Sequence, residues 1–115
     1  MSFTYGLYRT VQTVSPSSGD TVVIDPSSSD IRTLLTPSGT LATLTLQFPN
    51  ENDSILGQSV DVWSSHEITD LTCSANTIVN GLPVAITIDN PPNTILANSR
   101  IAFMKVGTLH WTGTQ

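Results

Sequence analysis

The sequence predicts an all-β fold: an antiparallel β-sandwich or jelly-roll-like barrel of about eight to nine short strands, preceded by an extended N-terminal arm. Three observations carry this. Thr40 to Trp63 (TLATLTLQFPNENDSILGQSVDVW) holds two period-two segments around a polar loop. Pro and Gly punctuation recurs at roughly 8–12-residue intervals, as in sandwiches and barrels. Helical periodicity is almost absent, a single turn over Ser29 to Leu35 being the one competing reading.

Residues 1–19 read as the arm and residues 20–115 as the β-sandwich domain. In the arm, Phe3, Tyr5, Leu7 and Val11 alternate loosely before Ser15-Pro16-Ser17-Ser18-Gly19 breaks the pattern. Two readings stand: an edge strand of the domain's own sheet, or an arm reaching a neighbouring subunit, which would cover its aromatic side chains. Thr21 to Asp25 is a short strand ended by Pro26, and Ile31 to Leu35 another, ended by Thr36-Pro37-Ser38-Gly39.

In the next segment Ala42, Leu44, Leu46 and Phe48 fall on one face and Thr43, Thr45 and Gln47 on the other, because successive strand side chains point to opposite sides. Pro49 to Ser54 supplies the turn, and Val60 and Val62 share a face of the returning strand. Glu67 to Cys73 follows. Asn80-Gly81 is a favoured hairpin dipeptide between Thr77-Ile78-Val79 and Val84 to Ile88, with Pro83 lengthening the connection. Asp89-Asn90-Pro91-Pro92-Asn93 is irregular, and Ser99 to Val106 and Thr108 to Thr112 close the chain. The expected core is Ile24, Leu44, Leu46, Phe48, Val60, Val62, Leu71, Ile86, Ile88, Ile101, Phe103 and Trp111. No repeat of fixed period is evident.

At 115 residues the chain is one domain with room for one core. Charged residues make up only 11%, and 14 Ser and 17 Thr give a hydroxyl-rich surface suited to strands and turns. With Lys105 as the one lysine, Arg9, Arg32 and Arg100 as the arginines, and a net charge of −5, no basic patch is available for phosphates. Nucleic acid and anionic membranes are therefore not expected as partners. Sheet edges commonly carry Lys against edge-to-edge pairing; here loops, prolines or partner chains must cover them. The single Cys73 excludes an intrachain disulfide. The N-terminus has no secretory signal pattern, which points to synthesis in a cytosol, and no apolar run approaches the ~18 residues of a membrane span.

Chemistry-bearing constellations are sparse. His66-Glu67, near Ser64, Ser65 and Asp70, places a base beside carboxylates, but an extended chain sends neighbours to opposite faces, and no nucleophile motif accompanies it. His110, Cys73 and His66 lack zinc-site spacing. Asp20, Asp25 and Asp30 recur across Ser-rich loops without the calcium-loop pattern and read as turn caps. Cys73 reads as a small apolar residue with no cation to activate it. Trp63 and Trp111 would suit a sugar-stacking platform, but two core or interface tryptophans near strand ends is the stronger reading. No catalytic residue, metal ligand or cofactor is assigned.

Gly39-Thr40-Leu41-Ala42-Thr43-Leu44-Thr45-Leu46-Gln47-Phe48-Pro49, Gly57-Gln58-Ser59-Val60-Asp61-Val62, Glu67-Ile68-Thr69-Asp70-Leu71-Thr72, Asn80-Gly81-Leu82-Pro83 and a closing aromatic strand with Phe103 and Trp111 together resemble a recurrent β-domain of bacteriophage virion proteins. The resemblance runs from Gly39 to the C-terminus; residues 1–20 lie outside it. It implies a structural virion protein, such as a head decoration or cement protein on the outer capsid surface, made in the host bacterial cytoplasm. Its expected partners are major capsid protein subunits and copies of itself, often as trimers. The alternative is a tail-associated receptor-binding domain that recognises glycans through Trp63 or Trp111. For the first, Phe3, Tyr5, Tyr8 and Arg9 are the expected interface anchors, because Tyr and Arg are enriched where interface energy concentrates.

Overall fold

The computed structural model describes residues 9–26, 28–49, 54–75, 78–79, 82–83, 86–108 and 110–114. Their strands are β1 (Arg9–Val14), β2 (Thr21–Val23), β3 (Asp30–Leu35), β4 (Leu41–Phe48), β5 (Ser59–Ser64), β6 (Ile68–Ala75), β7 (Ile78–Val79), β8 (Leu82–Pro83), β9 (Thr87–Asp89), β10 (Ser99–Gly107) and β11 (His110–Thr114). The all-β expectation is met, and the segment from Ser29 to Leu35 forms a strand rather than a helical turn.

The antiparallel sandwich is not. A large sheet runs β1-β3-β5-β10-β11-β9 and a small one β2-β4-β6. β1, β3 and β5 are mutually parallel, as are β2, β4 and β6. The chain therefore passes alternately between the sheets and advances one strand at each return, winding a coil in which each turn adds a strand to both sheets. Parallel neighbours need a crossover of a dozen or more residues, and here the crossover is the intervening strand of the other sheet: residues 15–29 carry β1 to β3 by way of β2. β4 and β5, which the sequence suggests fold back on each other, lie in different sheets and do not pair. The large sheet turns antiparallel at the end of the coil, where β10 runs against β5 and β11 against β10, with β9 parallel to β11. β7 and β8 form a separate antiparallel pair. It joins Ile78 to Pro83 and Val79 to Leu82, so the expected hairpin uses Leu82–Pro83 as its second strand.

One corner of the coil shows how the sequence sets the turns. Val14-Ser15-Pro16-Ser17 and Leu35-Thr36-Pro37-Ser38 leave adjacent strands at the same level, with both prolines buried. The Thr36 N–H donates to the Val14 carbonyl at 2.9 Å, the Ser65 N–H to that of Leu35 at 3.0 Å, and the Ser15 and Thr36 hydroxyls meet at 2.9 Å. The ladder thus runs past the strand ends, and proline turns the chain where no further N–H is required.

Both sheets feed one apolar core between them. Ile31, Leu35, Val60, Val62, Ile101, Phe103 and Trp111 come from the large sheet and Val22, Leu41, Leu44, Leu46, Phe48, Ile68 and Leu71 from the small one, joined by Ile24 and Ile95. Of the expected core, Ile86 and Ile88 are only partly buried against it. Ala42 is exposed and Leu41 buried, because the inward phase slips between Leu41 and Leu44; β6 slips at the same level, between Ile68 and Leu71. Gln12 braces the first turn of the coil. Its side-chain amide donates to the Val23 carbonyl at 2.7 Å, and its carbonyl oxygen accepts from the Asp25 N–H at 3.2 Å and the Thr33 hydroxyl at 3.1 Å.

β1 is an edge strand of the large sheet, so residues 9–14, assigned to the arm on sequence, take the edge-strand alternative.

Candidate functional site

Strict alternation in β3 and β5 buries Ile31, Thr33, Leu35, Val60, Val62 and Ser64 and turns Arg32, Leu34, Asp61 and Trp63 outward. On β10, Ile101, Phe103 and Lys105 point inward, leaving Arg100, Ala102 and Met104 outside. Register aligns these outward residues into two rows: Leu34, Trp63 and Arg100 lie side by side, and next to them Arg32, Asp61 and Ala102. The Asp61 carboxylate accordingly has Arg32 directly beside it and Arg100 on the diagonal, both within side-chain reach.

The contacts are loose. Asp61 Oδ2 lies 4.0 Å from Arg32 Nε and 3.8 Å from Arg100 Nη1, too far in each case for a hydrogen bond. Arg100 is 63% exposed, and such solvent-screened pairs contribute about 0–1 kcal/mol. Arg32 Nε is itself buried and has no hydrogen-bond partner. A guanidinium is always charged and only donates, so this N–H is costly to leave unmatched, by ~1–3 kcal/mol. Arg32, Thr33, Leu34, Asp61, Trp63 and Arg100 together line a cavity of about 220 Å³. Two guanidiniums against one carboxylate leave it one positive charge in a chain of net charge −5.

The residues nominated from sequence scatter. Phe3, Tyr5 and Tyr8 lie outside the described residues; Arg9 begins β1, paired to Asp30, and its side chain is likewise not described. Trp63 is half-buried in the cavity wall. Trp111 is fully buried and meets the Phe48 ring edge-on, so it presents no free face to a sugar.

His66 sits at a corner, its Nδ1 2.9 Å from the Ser65 hydroxyl, while the Ser64 hydroxyl donates to the His66 carbonyl at 2.6 Å. Ser64 is thus bonded to backbone, and no carboxylate contact of His66 is seen among the described residues. His110 pairs through Nε2 with Asp89 Oδ2 on neighbouring β9, an exposed pair without a nucleophile bonded to it among the described residues. Cys73 is partly buried, and desolvation pushes its thiol up to about 11, so at neutral pH it is protonated and a poor nucleophile. Asp20 accepts from the Ser17 N–H at 2.8 Å, a turn cap. No three potential metal ligands gather among the described residues.

Sequence reasoning missed the Arg32, Asp61 and Arg100 cluster. Each residue was legible as outward-facing once its strand was phased; what linked them was the pairing of three strands 29 or more residues apart, which no local pattern encodes.

Comparison with family models, with curated proteins and with solved structures finds no match for this chain.

Proposed function

We propose that this chain is a structural virion protein, a capsid decoration (cement) protein that binds the outside of a phage head and stabilises the shell by contact, without turnover. The supporting observation is the outward face of the large sheet. There Val11, Leu34, Trp63 and Met104 lie on one continuous surface with Arg32 and Arg100, a combination of aromatic, Met and Arg side chains enriched at protein interfaces. The partners are major capsid protein subunits and further copies of the chain, arranged as a trimer; Phe3, Tyr5 and Tyr8 precede the edge strand β1, which Arg9 begins, and with Arg9 would extend the contact. Binding only to assembled shells favours the assembled state by mass action.

Capsid co-sedimentation tests this. Loss of binding on Met104→Asp or on deletion of residues 1–8 is expected; retention by both variants would overturn the reading. The deletion stops at residue 8 because removing β1 would strip a strand from the large sheet.

A second reading, a tail-associated receptor-binding domain that takes glycans, is favoured by one observation: Trp63 borders a cavity, whereas Trp111 is fully buried in the core. Glycan binding lost in Trp63→Ala is its expected signature.

A further inference from the structure

We propose that the cavity beside Trp63 is a carboxylate-binding site for an acidic sugar, a hexuronic acid being the chemical class that fits. This names a ligand for the second reading above and rests on that reading, not on capsid decoration.

Three features of the cavity point to this class. First, it contains donors that Asp61 does not use: Arg32 and Arg100 both line the cavity, and both guanidiniums stand 3.8–4.0 Å from Asp61 Oδ2, beyond hydrogen-bond length. A carboxylate offers the planar, two-oxygen acceptor that guanidinium donors match. Second, the charge balance closes. Two arginines and one aspartate leave +1, and one bound carboxylate brings the site to zero. Third, the remaining walls suit a polyol ring. Trp63 and Leu34 supply apolar surface, while the Asp61 oxygens can accept from sugar hydroxyls. A cavity of about 220 Å³ is the size for one compact residue rather than a long chain. An acidic protein side chain would satisfy the arginines equally, but it would bring no hydroxyl donors to Asp61.

The test is a titration of the full chain with sodium glucuronate, read by the indole N–H signals of its two tryptophans. Trp111, sealed in the core, is an internal reference. Glucuronate is expected to move the Trp63 signal and leave Trp111 in place, with affinity falling as salt is raised. Arg32→Gln and Arg100→Gln should each weaken binding about tenfold, the loss of a charge-assisted contact, with unchanged melting temperatures for Arg100→Gln as the check on folding. Equal shifts with neutral glucose, insensitive to both arginine variants, would overturn the acidic-sugar assignment and leave the glycan reading standing. Silence with both sugars would overturn both. A response to N-acetyl-glutamate amide with glucuronate silent would overturn the sugar assignment and give the cavity to an acidic side chain of a protein.

Discussion

Phe48 meets Trp111 edge to face, ring centres 5.1 Å apart and planes at 74°, and Phe103 at 4.6 Å and 80°. Phe48 belongs to the central strand of the small sheet, and the other two rings to the antiparallel end of the large one. The contact therefore clamps the coil to the strands that close it. Edge-to-face pairs add ~0.5–1.5 kcal/mol beyond the area they bury.

Phe48→Ala removes both ring contacts and leaves a cavity where three elements meet. The expected loss is ~3–5 kcal/mol of unfolding free energy, read as a lower denaturant midpoint. Melting like the parent would show that Phe48 does not sit in the core.

Gln12→Ala should cost ~1–3 kcal/mol, since the fully buried Thr33 hydroxyl loses its acceptor and the brace between β1 and the Val23–Asp25 segment is gone. Amide hydrogen exchange should quicken first in β2, a strand of only three residues.

Gly113 and Gly39 form a matched pair. A Cβ at Gly113 would lie 2.8 Å from the Asn90 carbonyl oxygen and 3.2 Å from Pro92 Cδ, so Gly113→Ala must displace backbone, at a cost of ~1–3 kcal/mol. At Gly39 a Cβ meets nothing within 4 Å, and Gly39→Ala should be neutral or stabilise by ~0.4–1 kcal/mol through the unfolded chain. Thermal melts of the two variants should move apart.

Cys73 sets a pH dependence. Its thiol is raised from 9.0 to about 11 by burial, so the folded chain holds this proton more tightly than the unfolded one. The resulting stability is fully present below pH 9 and is lost as pH rises from 9 to 11. Cys73→Ala should flatten that limb of the stability profile. In the parent, alkylation by iodoacetamide at pH 8 should be slow and should accelerate through the same window; rapid labelling at pH 8 would contradict the burial of the thiol.

Much of this was legible in the sequence. Period-two alternation located the main strands and put Leu44, Leu46, Phe48, Val60, Val62, Phe103 and Trp111 in the core, because one buried face is enough to impose alternation. The failed expectations share a cause. Alternation says which way side chains point and nothing about the direction of the neighbouring strand, so β4 and β5 read as a hairpin although they belong to different sheets. A trace of the coil was present in Val14-Ser15-Pro16-Ser17 and Leu35-Thr36-Pro37-Ser38, 21 residues apart. The next turn takes 29 residues, and its corner is Ser64-Ser65-His66, so no fixed period announced the repeat.

The sequence by itself determined that this chain is built of strands and most of the residues they bury, since these follow from local side-chain order and composition. Only the tertiary structure decided that the strands run parallel in a coil and that Arg32, Asp61, Trp63 and Arg100 share one cavity. The reason is that lateral pairing in a sheet is a long-range choice. It is set by the lengths of corners and by the packing of the Phe48, Phe103 and Trp111 rings between layers, and side chains far apart in sequence become neighbours only once it is made.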